Sequence, residues 1–196
     1  MAPIGQRKPK LYTSELKALH RYRPTLLKLP ERVYVDDVLS PLSSILGQDD
    51  IDEILLKNND LDQIIELVQR IELYKQGFTQ LIVALTDPGV EQTELAERLL
   101  AMEKEEHRRE ERQVLMDLFQ SANGQNWKHK DNWCSESPLR EWEGVEIDET
   151  GCVSALKLAD NNLIGELPPS LATLRRLRRM FVELNSQISR SCAALD

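Results

Sequence analysis

Cysteine is scarce in this chain: Cys134, Cys152 and Cys192 are all it has in 196 residues. A sparse, odd set is not a disulfide framework, which excludes the small stapled domains typical of secretion. Pairing of Cys134 with Cys152 stays open. Long apolar runs are missing too. No stretch approaches the ~20 apolar residues that span a bilayer. Residues 1–10 are polar and basic, with no apolar segment behind them, unlike a secretion signal. The expected compartment is the cytoplasm, with reduced thiols and no membrane partner.

An excess of positive charge is also lacking. The formal net charge is −8, with 25 Lys and Arg against 33 Asp and Glu. A general nucleic-acid binder needs a basic field to neutralise phosphates, so no nucleic-acid partner is expected. There is no Gly-rich phosphate loop, so no nucleotide or other cofactor is expected. Three Cys and three His include no C-x-x-C or H-x-x-x-H spacing, and no metal ligand is assigned. His129 and Cys134 are close in sequence and suggest a Cys–His nucleophile. No positioning motif surrounds them, so the preferred reading is a surface histidine and a half-buried thiol in a loop. No catalytic residue is assigned, and the chain is read as a non-enzyme.

What is present is enough for a core: 41% of residues are apolar and 30% charged. The chain changes character along its length. Residues 1–10, with two prolines and a glycine, read as a flexible tail. Residues 11–102 are helix-like throughout. Leu16, Leu19, Leu26 and Leu27 follow a cap at Thr13 or Ser14, with Pro24 bending or splitting that first helix. Val35, Val38, Leu39, Leu42 and Leu46 fit a second helix ending at Gly47. Ile51, Ile54 and Leu55 fit a third. Asn59 or Asp60 caps a fourth, carrying Leu61, Ile64, Ile65, Val68 and Ile71. Phe78, Leu81, Ile82 and Leu85 follow Gly77 in a fifth. After the Thr86-Asp87-Pro88-Gly89 turn, Leu95, Leu99 and Leu100 mark a sixth. Each set recurs every three or four residues, the period of an amphipathic helix. Six short helices with short connections predict a mainly α fold, an antiparallel bundle.

The segments LKALHRYRPTLLKL, VDDVLSPL and DDIDEILLKNN, with a long amphipathic helix after them, resemble the caspase recruitment domain (CARD) of the death-fold superfamily. The Arg23-Pro24 step in a basic first helix and the acidic starts of the second and third carry the likeness, over residues 12–102. PERVY, between the first two helices, is longer than the family pattern. Residues 103–112, EKEEHRREER, read as a solvated helical linker supported by i,i+3 and i,i+4 charge pairs.

Residues 113–152 and 153–196 form a second module. Val114, Leu115, Leu118 and Phe119 make an amphipathic helix stopped at Asn123-Gly124. Trp127, Trp133 and Trp142 follow, then a strand-like run through Val145 with Asp148–Gly151 as its turn. In VSALKLADNNLIGELPPSLATL, the residues Leu156, Leu158, Asn161, Leu163, Gly165, Leu167, Pro168, Leu171 and Leu174 fit the leucine-rich repeat. The Gly and Leu-Pro after the asparagine resemble the plant type, and the tryptophan-rich segment before it resembles that family's N-terminal cap. The resemblance implies an α/β solenoid, with Asn161 turned inward and the tryptophans as lid. Met180, Val182 and Asn185 restart the pattern 24 residues on. After Asn185 the register slips, Ile188 falling one residue late. An array of one to two repeats is read as truncated, or as completed by another chain.

Charge is segregated in the first module. Lys17, Arg21, Arg23 and Lys28 form a basic patch against Glu15 alone. Asp36, Asp37, Asp49, Asp50, Asp52 and Glu53, with Asp60 and Asp62 beyond, form an acidic one against Lys57 alone. Two solvated helix faces would look the same. A segregated dipole also suits head-to-tail association, and the CARD resemblance favours that reading. Arg175, Arg176, Arg178 and Arg179 are either solvated positions between repeat leucines or a site for an acidic partner. The expected function is a signalling adaptor in apoptosis or innate immunity, binding another CARD or itself, with the repeat segment taking a second protein. The rivals are a repeat protein whose helical part is only a spacer, and a non-functional receptor fragment.

Overall fold

The structure is a computed structural model and describes residues 35–74, 76–90, 92–185 and 187–189. The chain divides into two compact units, up to Glu106 and from His107. The division falls inside the charged run read as a linker.

In the first unit, α1 spans Val35–Leu42, α2 Gln48–Leu55, α3 Asp60–Ile71 and α4 Gly77–Leu85. α1 buries Val35, Val38, Leu39 and Leu42, the stripe that its three- and four-residue spacing dictates. Asp50 caps α2 by accepting the Gly47 N–H on Oδ2 at 3.3 Å. Asn59 caps α3, its Oδ1 accepting the Asp62 N–H at 2.9 Å. Gly77 opens α4 where nothing larger fits: a Cβ there would lie 2.1 Å from the Ile71 carbonyl oxygen. α1 packs on α3 and α4, and α2 on α3. Their apolar faces meet with Leu95, Ala96 and Leu99 in one core. Full burial of each leucine, isoleucine or phenylalanine contributes ~1.5–3 kcal/mol.

The six-helix bundle is not what forms. Five helices lie among the described residues. The expected first helix falls on residues 11–28, outside them. The expected sixth helix, the charged linker and the cap helix are one continuous element, α5, Thr93–Ser121, of 29 residues. No Gly or Pro interrupts it, and its Glu, Arg, Lys, Ala and Leu residues are good helix formers. Pairs one turn apart add to this, Arg98 with Glu94 and Gln113 with Asp117. It stops where Asn123 takes the left-handed conformation, φ 57°. Nor is the charged run all solvated: Glu106, His107 and Glu111 are buried.

In the second unit, the end of α5 lays Val114, Leu115, Leu118, Phe119 and Ala122 into a core with Trp127, Trp133, Trp142 and the leucines that follow. Each indole N–H finds a carbonyl: Trp127 donates to Ala122, Trp133 to Glu143 and Trp142 to Ser137, at 2.9, 2.8 and 3.2 Å. Trp127 and Trp133 meet edge to face, with centroids 4.9 Å apart. The strands are β1 Val145–Ile147, β2 Val153–Lys157, β3 Ile164–Glu166, β4 Arg179–Phe181 and β5 Gln187–Ser189. β1 pairs antiparallel with β2, β2 parallel with β4, and β3 parallel with β5.

The solenoid expectation is corrected here as well. The main sheet is a three-stranded mixed one, β1-β2-β4, with β3-β5 as a separate pair. An antiparallel β1 occupies the edge of β2 to which an earlier repeat would add. Among the described residues two turns of chain stack, and the end of α5 and the tryptophans line their core. The repeat period survives locally. β2 and β4 pair 24 residues apart, Leu156 with Met180, whereas β3 and β5 pair 23 apart, Gly165 with Ile188. Leu156, Leu158, Asn161, Leu163 and Leu167 are all buried.

Candidate functional site

The first unit presents acids in two distinct settings. Asp36 and Asp37 occupy the first turn of α1, where the unpaired N–H groups of a helix start favour carboxylates. Both are exposed, and neither makes an ion pair among the described residues. Packing of α1 on α4 brings the turn after α4 beside them. Asp87 shapes that turn by accepting the Gly89 N–H at 2.9 Å. Asp36, Asp37 and Asp87, with Ser40 and Pro41, line a cleft of about 330 Å³. A neighbouring depression of about 320 Å³ shares Asp36 and Ser40 and has Leu39, Ile51 and Leu55 in its lining. Leu55 is 42% exposed. An acidic rim beside an apolar hollow suits a basic, partly apolar surface of another protein.

Other acids of the expected patch face elsewhere. Asp50 is 2% exposed. It accepts the Tyr74 hydroxyl at 2.6 Å and Arg70 Nη1 at 2.7 Å. Arg70 also pairs with Glu66 at 2.8 Å and with Glu53. Asp50 is thus committed to a buried network, while Glu53 meets Arg70 from the surface. Asp49 and Asp52 are exposed, Asp52 accepting from Gln48 Nε2 at 2.8 Å. Asp60 and Asp62 are exposed at the start of α3. Lys17, Arg21, Arg23 and Lys28 lie outside the described residues.

The second unit carries a charged strand face. Glu146 on β1 pairs with Lys157 on β2 and with Arg179 on β4, the latter at 3.4 Å. The hydrogen bond from Lys157, with the charges of Lys157 and Arg179, holds the Glu146 carboxyl below the usual carboxylate range. The Thr150 hydroxyl, ahead of the Cys152 and Thr150 N–H groups and Arg176, does the same for Asp148. Arg176 and Arg179 therefore each oppose a carboxylate, while Arg178 is exposed. Asn161 turns inward and fastens the tryptophan loop to the strand corner. Its Oδ1 accepts the His129 N–H at 2.6 Å, and its Nδ2 donates to the His129 carbonyl at 2.9 Å.

The His129 ring meets Glu143 at 3.0 Å. Cys134 is an exposed free thiol, and what desolvation its sulfur has pushes its pKa up, away from a thiolate. Cys152 is free as well.

No protein-family model matches this chain, and neither does any curated protein or solved structure.

Sequence reasoning did not single out Asp87, which reads only as a turn residue. Nothing local marks it, because its partners in the cleft are α1 residues far away in sequence. The commitment of Asp50 had a faint signal: Arg70 and Tyr74 stand four apart on and just after α3, a spacing that aims both the same way.

Proposed function

We propose that this protein is a signalling adaptor acting through association of its helical unit, in the manner of caspase recruitment domains. The observation that carries this reading is the solvent-facing cleft of Asp36, Asp37 and Asp87 beside the apolar hollow at Leu39, Ile51 and Leu55. Its occupant is a basic segment, Lys17, Arg21, Arg23 and Lys28 of a second copy or their counterpart in another such domain. An acidic patch that takes the basic segment of the next copy makes a contact that does not close on itself, so copies add head to tail. Exposed ion pairs contribute only ~0–1 kcal/mol each, so several act together and association weakens as salt rises. The setting that the resemblance implies is cytoplasmic, in apoptotic or innate immune signalling. The charged strand face of Glu146, Lys157 and Arg179 offers a second protein ligand a separate surface. No helix among the described residues is long and apolar enough to cross a membrane, and no membrane or nucleic-acid partner enters this reading.

The test is light scattering of the full chain across protein and salt concentration, with charge reversals. Mass should grow with concentration and fall at high salt. D36K/D37K and R21E/R23E should each abolish growth, and mixing the two variants should restore a complex. A salt-indifferent monomer that also ignores CARD proteins, or reversals without effect, would defeat the proposal. A rival reading, ligand binding by the strand face with the helical unit as spacer, is favoured by the exposure of Lys157 and Arg178–Arg179. It predicts that K157E/R179E removes binding that D36K/D37K leaves intact.

A further inference from the structure

Within the second unit, a histidine, a glutamate and a cysteine converge at the join between α5 and β2. His107 and Glu111 are four residues apart on α5 and so share a face. Glu111 is 1% exposed, and both its oxygens accept the Val153 N–H, at 3.1 and 3.2 Å. That bond draws the start of β2 onto the helix and carries Cys152, the preceding residue, with it. One donor atom from each of His107, Glu111 and Cys152 lies within 4.8 Å of the other two.

The polar accounting of this pocket is incomplete. Nδ1 of His107 is buried and has no hydrogen-bond partner. Its Nε2 stands 3.4 Å from Glu111 Oε1. A buried carboxylate met by one backbone N–H and one loosely placed imidazole lacks the compensation that such burial ordinarily requires.

We propose that His107, Glu111 and Cys152 bind a divalent transition metal of the zinc class. The donor set decides the class. Nitrogen, oxygen and sulfur together suit zinc and its neighbours, whereas calcium and magnesium require all-oxygen shells. Zinc-to-ligand distances of about 2.0–2.3 Å put tetrahedral donors roughly 3.5 Å apart. Donors up to 4.8 Å apart must therefore close by about 1 Å for one ion to hold all three. Cys152 is half-buried, which leaves the ion a way in and a fourth position for water. Burial, ahead of the Glu111 and Asp148 charges, pushes the Cys152 thiol up, with the Thr150 hydroxyl working the other way. Coordination therefore sends the thiol proton to the buffer as the metal–sulfur bond forms. The bound ion ties α5 to β2, so it stabilises the second unit.

The experiment uses the full chain, stripped with chelator, dialysed and titrated with Co²⁺ and then Zn²⁺. One Co²⁺ per chain should bind with a near-ultraviolet thiolate-to-cobalt band, zinc should displace it, and zinc should raise the melting temperature. Cys152→Ser should remove the band and weaken zinc binding at least ~tenfold, since even supporting residues around metal ligands are worth 10–100-fold. A C134S/C192S chain should keep both. Circular dichroism of Cys152→Ser checks that it folds; Cys152→Asp, which restores an anionic donor, should recover zinc binding without the band. No band in the wild-type chain, loss of the band in C134S/C192S, or unchanged zinc affinity in Cys152→Ser would each overturn the assignment.

Discussion

Arg70 reaches across from α3 to Asp50 on α2, Nη1 to Oδ1 at 2.7 Å, and Asp50 is buried. One carboxylate thereby caps α2, holds Arg70 and receives the Tyr74 hydroxyl. Asp50→Ala takes one carboxylate from Arg70, which keeps Glu66 and Glu53, and removes the acceptor at 2.6 Å from the Tyr74 hydroxyl. Losing these charge-assisted hydrogen bonds costs about 1–3 kcal/mol. Urea unfolding should show that loss, whereas D36N/D37N should change stability by no more than ~1 kcal/mol. The two substitutions thus separate an acid that builds the unit from acids that face a partner.

Asn185 performs the corresponding task in the second unit. Its Oδ1 accepts the N–H groups of Asn161 and Leu163 at 2.9 and 3.0 Å, and its Nδ2 donates to the Leu158 and Val182 carbonyls at 2.7 and 2.9 Å. Asn185→Ala leaves these groups unpaired, at about 1–3 kcal/mol for each that water cannot reach. Hydrogen exchange should accelerate at the Asn161 and Leu163 amides, while the α1 amides of the other unit keep their protection.

Glu146 provides a pH marker. Its folded pKa is depressed by Lys157 and Arg179, so its stabilising effect is fully present above the ordinary glutamate value of about 4.3. The effect is lost as pH falls through the lower, folded value. An NMR titration should place the Glu146 carboxyl below that of an exposed glutamate. Lys157→Met should move it back up, because the first cause of the shift is gone. Added salt should shrink the difference, since the pair is at the surface.

Gly77 tests the α3–α4 corner. A methyl group at this position meets the Ile71 carbonyl oxygen at 2.1 Å and Ile71 Cγ2 at 2.8 Å. The backbone oxygen cannot rotate away, so Gly77→Ala forces the helices apart. A loss of about 1–3 kcal/mol is expected, typical of overpacking, read as a lower midpoint in thermal unfolding. Gly47→Ala is the control, because its nearest neighbour, Asp50 Oδ2, is 3.9 Å away.

The sequence by itself determined where α1 to α4 begin, because helical periodicity and caps such as Asn59 act within a few residues, although the helix expected to run to Gly47 ends at Leu42. It also determined the 24-residue echo of Asn161 in Asn185: both turn inward onto backbone groups, Asn161 onto His129 and Asn185 onto its own corner and the neighbouring turn. It did not reveal that three expected segments form the single helix α5. A run as charged as EKEEHRREER looks like a boundary by composition, yet contains nothing that breaks a helix. Only the tertiary structure decided which charges are buried. Asp50 and Asp49 are neighbours in the same acidic run, and packing against Arg70 and Tyr74 separates their roles. Packing likewise placed Asp87 beside Asp36, His107 and Glu111 beside Cys152, and β1 on the edge of β2. These are contacts between residues distant in the chain, set by which faces the core brings together, and local spacing carries no record of them.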